Sequence, residues 1–188
     1  MRAPHHQYTW QQYLPLAADS HIKLEFLDGE IFAMAGGTPT HADLSLRLGS
    51  QLVAVLQGGP CRPYGGDLRV RVKATGLATY PDVTVVCGPN ELDPDDRNTV
   101  LNPNLLVEVL SDSTERYDRG TKLQHYQQIE TLQEVVLLSH REPRVEVFRR
   151  EAEGSWSHHE ARYQGQLVLV SVPCTLETDR LYAGLALG

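Results

Sequence analysis

No stretch of this 188-residue chain approaches the roughly 18 consecutive apolar residues of a membrane-spanning helix. The opening Met1-Arg2-Ala3-Pro4-His5-His6 has no apolar run of the secretory kind, so a cytoplasmic protein is expected. His5 and His6 read as an incidental pair. Cysteine is scarce. Cys61, Cys87 and Cys174 are far apart and odd in number, with no CxxC, which argues against a zinc ribbon and against a disulfide scaffold. Cys87 closes an apolar stretch and reads as a small buried hydrophobe. Lysine is equally scarce: Lys23, Lys73 and Lys122 are all there is, and the net charge is −7. Such a balance counts against a protein that coats nucleic acid by neutralising phosphates, while leaving room for an enzyme whose carboxylates hold metal and whose arginines act locally. A histidine-rich metal motif and a GxxxxGK[ST] phosphate loop are also missing, which disfavours a metallohydrolase of small phosphoesters. With no repeat, low-complexity tract or linker, a single domain over 1–188 is expected, long enough to bury a core.

What is present is an ordinary globular composition, 41% apolar and 22% charged. Residues 9–17 read as a short helix. Ile22 to Met34 read as a hairpin about Asp28-Gly29, a dipeptide whose tight turn suits strand twist. Thr40 is the expected cap of a helix carrying Leu44, Leu48, Leu52, Val55 and Leu56 on one face and stopped by Gly58-Gly59-Pro60. Strands are expected at 61–64, 68–73 and 81–86. A polar loop over 88–104 follows, its run Asp93-Pro94-Asp95-Asp96 solvated. Beyond it come a strand at 105–111 and a helix from Ser113 or Thr114 to about Ile129. Two strand pairs are then expected, 134–139 with 144–149 and 156–163 with 167–172, and last a short amphipathic tail. The class is α/β (α+β): a mixed sheet flanked by helices.

Two stretches carry chemistry. Tyr80-Pro81-Asp82-Val83-Thr84-Val85-Val86 and Leu105-Leu106-Val107-Glu108-Val109-Leu110-Ser111 each read as a buried strand interrupted by one carboxylate. A buried carboxylate is costly unless a cation or donor meets it. Asp82 and Glu108 on neighbouring strands, with Lys122 arriving from the next helix, are the parts of a divalent-metal phosphodiesterase. Mg²⁺ needs only one or two protein carboxylates beside water and substrate, Mn²⁺ can substitute, and the Val109 carbonyl is a candidate third oxygen. The lysine would orient or deprotonate the attacking water. Each residue also has a plain reading: Asp82 as a strand-entry residue, Glu108 at a surface-facing edge, and Lys122 in a helix-surface pair with Asp118.

The arrangement resembles the PD-(D/E)xK nuclease superfamily, and more closely the Uma-two family of restriction-endonuclease-like proteins. The resemblance spans most of the chain. It lies in Leu24-Glu25-Phe26-Leu27-Asp28-Gly29-Glu30-Ile31, His41, Tyr80-Pro81-Asp82-Val83, Val107-Glu108-Val109-Leu110-Ser111, and the run from Ser113-Thr114 through Asp118 to Lys122-Leu123 and Tyr126. It implies a restriction-endonuclease-like core and a Mg²⁺-dependent DNA endonuclease with Asp82 and Glu108 as metal carboxylates. The superfamily lysine would fall two residues after the acid, where this chain has Leu110; the resemblance puts it on the following helix, as Lys122. Glu25 is either a solvent-facing hairpin residue or a third acidic group of the site. His41 is either a helix-start residue making a backbone contact or a residue on the rim of the site, and Asp67 a turn residue that could approach it. The rival to an enzyme is a non-catalytic module, binding nucleic acid or protein, that keeps the fold. The strand pairs of the C-terminal third suggest a surface for self-association, and restriction-like nucleases commonly cut as dimers, so a homodimer is expected.

Overall fold

The structure, a computed structural model, describes residues 7–34 and 36–187. His5 and His6 lie outside them. Helix α1 (Trp10–Asp19) opens on a capping box in which Thr9 and Gln12 each satisfy the other's backbone N–H. Strands β1 (Leu24–Leu27) and β2 (Glu30–Ala33) form the hairpin about Asp28-Gly29, both turn residues having positive φ, 48° and 87°. Helix α2 (Pro39–Leu56) is capped by Thr38, not Thr40: the Thr38 hydroxyl accepts from the His41 N–H, and Pro39 takes the first helical position, where its missing N–H costs nothing. Its buried face is Leu44, Leu48, Leu52 and Leu56, while Val55, 41% exposed, falls outside the stripe.

Seven strands follow: β3 (Cys61–Gly65), β4 (Arg69–Val72), β5 (Leu77–Thr79), β6 (Val83–Cys87), β7 (Leu92–Asp93), β8 (Asp96–Val100) and β9 (Leu105–Val109). A helical segment then runs as α3 (Glu115–Tyr117), a π turn (Asp118–Lys122) and α4 (Leu123–Tyr126). The chain ends with β10 (Glu134–Leu138), β11 (Arg144–Arg150), β12 (Trp156–Arg162), β13 (Gln166–Val168), β14 (Thr175–Glu177) and α5 (Thr178–Tyr182). The larger strands divide between two six-stranded sheets, β2-β1-β5-β4-β8-β7 and β12-β11-β10-β9-β6-β3. Both are mixed, through the parallel pairs β4–β8 and β9–β10.

The second sheet is the centre of the molecule. One face meets the leucine stripe of α2 through Val85, Leu105, Val107, Val109, Val136 and Leu138. The other face offers Leu106, Leu110, Val135 and Leu137 to Val70, Val72 and Leu77 of the first sheet and to Leu123, Tyr126 and Ile129. Helix α1 covers the far side of the first sheet with Trp10 and Tyr13 against Phe26 and Ala78. This is a restriction-endonuclease-like core, as expected from the sequence. Among the described residues no helix is long and apolar enough to cross a membrane.

Several expectations are corrected. Cys61 and Cys87 are directly opposite in the β3–β6 ladder and are joined by a disulfide, leaving buried Cys174 free. The polar loop over 88–104 contains β7 and β8, and its acidic run is solvated only in part, at Pro94 and Asp95. Asp93 is buried against Arg71 and the Trp10 indole N–H, and Asp96 is paired with Arg69 at 2.6 Å. Two arginines on one strand, β4, reach those carboxylates, a pairing hidden until the strands are aligned. The strand pair 134–149 is not an exposed surface for self-association, since β10 is buried throughout and lies between β9 and β11. Strand β12 pairs with β11 and β13 with β14, so the expected partnership between 156–163 and 167–172 does not form.

Candidate active site

Glu108 lies in the middle of β9, between β10 and β6, so it is not at an edge. Strand alternation turns Leu105, Val107 and Val109 toward α2 and Leu106, Glu108 and Leu110 toward the helical segment. Its side chain therefore enters the apolar layer, only 5% exposed, where Lys122 and Tyr126 meet it. The Lys122 ammonium is 2.9 Å from Glu108 Oε1, and the Tyr126 hydroxyl donates to the same oxygen at 2.5 Å.

Asp82 immediately precedes β6, which starts at Val83 and not at Pro81. The β6–β9 register pairs Val83 with Val107; continued by one residue, it places Asp82 opposite Glu108, where side chains share a face. Beyond the ladder the Asp82 carboxylate takes over from the backbone, Oδ2 accepting the Val109 N–H at 2.7 Å. What Val109 gives in the structure is thus a donor to Asp82. His41 Nε2 lies 3.2 Å from the same oxygen. Helix α2 delivers it from its first turn, and Gly37 leaves it room. A Cβ at Gly37 would come within 2.6 Å of His41 Nδ1.

Lys122 ends the π turn, and both it and Asp118 are buried. Such turns widen a helix by one residue and often occur where a side chain must be re-aimed. Asp118 Oδ1 is 3.5 Å from the ammonium and Glu25 Oε1 3.6 Å from it, so the pair expected on a helix surface is interior. Glu25, delivered by β1, also accepts from the Thr79 hydroxyl of β5 and is not solvent-facing. Three carboxylates, from Glu25, Glu108 and Asp118, thus gather about one ammonium, and Asp82 stands beyond them on the Glu108 side. Asp67 stands apart: its side chain is 98% exposed and pairs with Lys23, as a turn residue does. Asp118, Tyr126 and Thr79 were missed as members of the group. The spacing of Asp118, Lys122 and Tyr126 at i, i+4 and i+8 was the available signal for two of them; nothing local marked Thr79.

The electrostatics follow from the crowding. Burial, with the charges of Asp82 and Asp118 adding to it, pushes Glu108 up to about 8 against the opposing pull of Lys122. Burial alone would lower Lys122, but Glu108, Tyr126, Glu25 and Asp118 outweigh it and hold the amine well above its ordinary value, as an ammonium. The hydrogen bond to Asp82 raises His41 against the effect of burial. The donors are carboxylate oxygens in excess of positive charge, a set that suits a hard divalent cation. Among the described residues no three His, Cys, Asp or Glu side chains form a ready-made metal cage. Mg²⁺ does not require one, because it keeps waters and takes oxygens from its substrate.

Residues 10–181 match the Uma2 (Uma-two) family model, described as “Putative restriction endonuclease”. The chain belongs to this family. Two relatives are proteins of Synechocystis sp. described as uncharacterized. The one named slr1290 is 34% identical over 98% of this chain and 96% of its own length. The other, sll1609, is 29% identical over 79% and 84%. Among solved structures, the chain resembles one described as a “putative nuclease belonging to DUF820” from Anabaena variabilis ATCC 29413. Its TM-score is 0.76 at 17% identity, with 94% of this chain and 98% of that one covered. At that identity the likeness is one of fold. Uma2 membership therefore rests on residues 10–181, and the likeness of fold on 94% of the chain.

Proposed function

We propose that the protein is a Mg²⁺-dependent DNA endonuclease, with Mn²⁺ able to substitute, in which Asp82 and Glu108 hold the metal and Lys122 serves the attacking water. The observation that carries this reading is that Glu108 has Lys122 Nζ 2.9 Å from its Oε1 and Asp82 opposite it across the β6–β9 register. A bound Mg²⁺ would polarise the phosphoryl oxygens and lower the pKa of a coordinated water. The chain's own residues supply the rest. Lys122, held as an ammonium by three carboxylates, donates hydrogen bonds that orient the water and stabilise charge developing on the phosphoryl group. Glu25 and Asp118 hold the lysine in place. The Val109 N–H and His41 fix the Asp82 carboxylate. In the reaction the water oxygen bonds to phosphorus, one P–O ester bond breaks, and the departing oxygen takes up a proton. The side chains of Asp82 and His41 are 18% and 22% exposed against 7% for Glu108, so substrate enters from their side.

One observation favours the rival, a module without catalysis: Lys122 already neutralises Glu108, so the cluster is partly satisfied without metal. Calorimetry separates the two, titrating Mn²⁺ into wild type and Asp82→Asn in the presence of DNA, with nicking of supercoiled plasmid as a second readout. Binding and nicking that both vanish in Asp82→Asn are the expected result. A wild type that neither binds metal nor nicks DNA, beside an Asp82→Asn variant that melts no lower, overturns the enzyme reading.

A further inference from the structure

A groove of about 500 Å³ runs between the outer face of α2 and β3 and ends at Asp82. One wall is the outer face of α2, where Leu46 and Val53 are exposed. The opposite wall is Pro63 and Tyr64, and the Tyr64 hydroxyl is tied to the Asn90 side chain, which holds the ring in place. Ser45 and Ser50 add hydroxyls. The groove is thus apolar with a ring and a few hydroxyls, and it leads to the more accessible of the two metal carboxylates.

Its lining has a second property. Gly49, Gly65 and Gly66 all face it, and none has a positive φ, so backbone conformation does not require glycine at these positions. Packing does not require it either. A Cβ at Gly49 would meet only Val83 Cγ2, at 3.7 Å. At Gly65 it would meet nothing within 4 Å, and at Gly66 only ordinary contacts from 3.5 Å outward. Glycine inside a helix costs stability, so Gly49 in the middle of α2 is an expense with no return inside the fold. Missing side chains here let something outside the chain come close to the backbone, one of the recognised uses of glycine.

The charge of the lining says what that is. Among the described residues, none that lines the groove is a lysine or arginine. The basic side chains on the adjoining elements are already engaged. Lys23 bonds Asp67 and the Gly66 carbonyl, Arg47 bonds Asp43 and the carbonyls of Leu181 and Ala183, and Arg62 bonds the carbonyls of Gly59 and Cys61. A duplex held by its phosphates needs several free cations, and the chain as a whole carries a net charge of −7. An unpaired base can also stack on a ring between apolar faces, an attraction open to any base because every base has a π-face. We infer that the groove takes an unpaired base of single-stranded or locally opened DNA and presents the adjoining phosphodiester to Asp82. The inference rests on the nuclease reading for its chemistry, and on the groove alone for its binding.

The test uses one fluorescein-labelled DNA sequence in three forms: single-stranded, fully paired, and paired with a central unpaired bubble. Anisotropy reads binding in Ca²⁺, and cleavage is followed in Mn²⁺. Two variants fill the groove while leaving the carboxylates in place, Gly49→Leu and Gly65→Val, and thermal melting establishes that each is folded. Because a stacked base contributes the equivalent of about tenfold in affinity, the single strand and the bubble should bind at least about tenfold tighter than the duplex. That preference should disappear in both folded variants, and cleavage should follow the same order. Equal binding and cleavage of all three forms, unaffected by either variant, overturns the groove assignment and leaves the nuclease reading standing. Selective binding that is lost in the variants, with no cleavage of any form, supports the groove and counts against the nuclease. No binding of any form overturns the groove assignment.

Discussion

Replacing Lys122 by methionine keeps most of the side-chain volume and removes the one ammonium from the cluster. Lys122 is 4% exposed, with Glu108, Asp118 and Glu25 oxygens at 2.9, 3.5 and 3.6 Å. Its removal leaves buried carboxylates facing one another without a countercharge. Breaking a buried pair from one side costs about 3–5 kcal/mol, a large share of the roughly 5–15 kcal/mol that stabilises a domain. For a chain of this size each kcal/mol shifts Tm by about 2–4 °C, so Lys122→Met should melt about 6–20 °C lower. Replacing both partners with apolar side chains, as Lys122→Met with Glu108→Leu, removes the stranded charge as well as the bond. The double variant should be at least about 1 kcal/mol more stable than the summed single effects allow. Urea unfolding followed by circular dichroism measures all three variants. A Lys122→Met protein within about 1 kcal/mol of wild type would refute the claim that the carboxylates are held against this lysine.

Three further outcomes are expected. Gly37→Ala places a methyl group where the His41 ring lies, so the His41 ring resonances should shift and any DNA cleavage should slow; an unchanged His41 signal in a folded variant contradicts the role given to Gly37. Burial works against ionisation of Glu146, but Arg119, Arg144 and His158 outweigh it and hold the carboxyl below its ordinary 4.5. A depressed folded-state pKa stabilises fully above the unfolded value and is lost as pH falls through the lower one, so the penalty of Glu146→Gln should be largest near neutrality and fade as pH falls below the ordinary carboxyl range in urea melts; a penalty independent of pH counts against it. The Cys61–Cys87 bond closes a loop over a sequence separation of 26, for which chain entropy gives about 3–4 kcal/mol. Thiol titration of denatured, unreduced protein should find one free thiol, from Cys174, and the Cys61→Ala/Cys87→Ala variant should unfold at lower urea; three free thiols exclude the bond.

Asp82 and Glu108 were legible because each carboxylate adjoins a run of apolar strand residues, a local contradiction that only a partner can resolve. Glu108 and Lys122 form an ion pair, and Asp82 lies opposite Glu108 across the β6–β9 register. The leucine stripe of α2 and the Asp-Gly hairpin were legible too, since both are patterns of adjacent residues. What stayed hidden depended on register or on tertiary partners. Short β5, β7 and β8 have no apolar alternation long enough to register, and β7–β8 was covered by an acidic run that reads as solvated. Asp93 is buried only because Arg71 and Trp10 arrive from elsewhere. The disulfide required the β3–β6 alignment, and Thr79 required β5 beside β1. The helix expected from residue 113 to 129 became three short pieces, and its π turn carries Lys122.

Glu25, His41, Asp82, Glu108 and Lys122 come from the first hairpin, the long helix, the entry to β6, the middle of β9 and the π turn. No two of these belong to the same local unit, and Glu25 reaches Lys122 only when the two large sheets are stacked face to face. The cluster is therefore among the last things the chain can complete on folding, because every loop between those segments must close first. No excised hairpin, helix or half-sheet can preserve all of it. Whatever this site does, it works as an all-or-none report that the whole chain has folded.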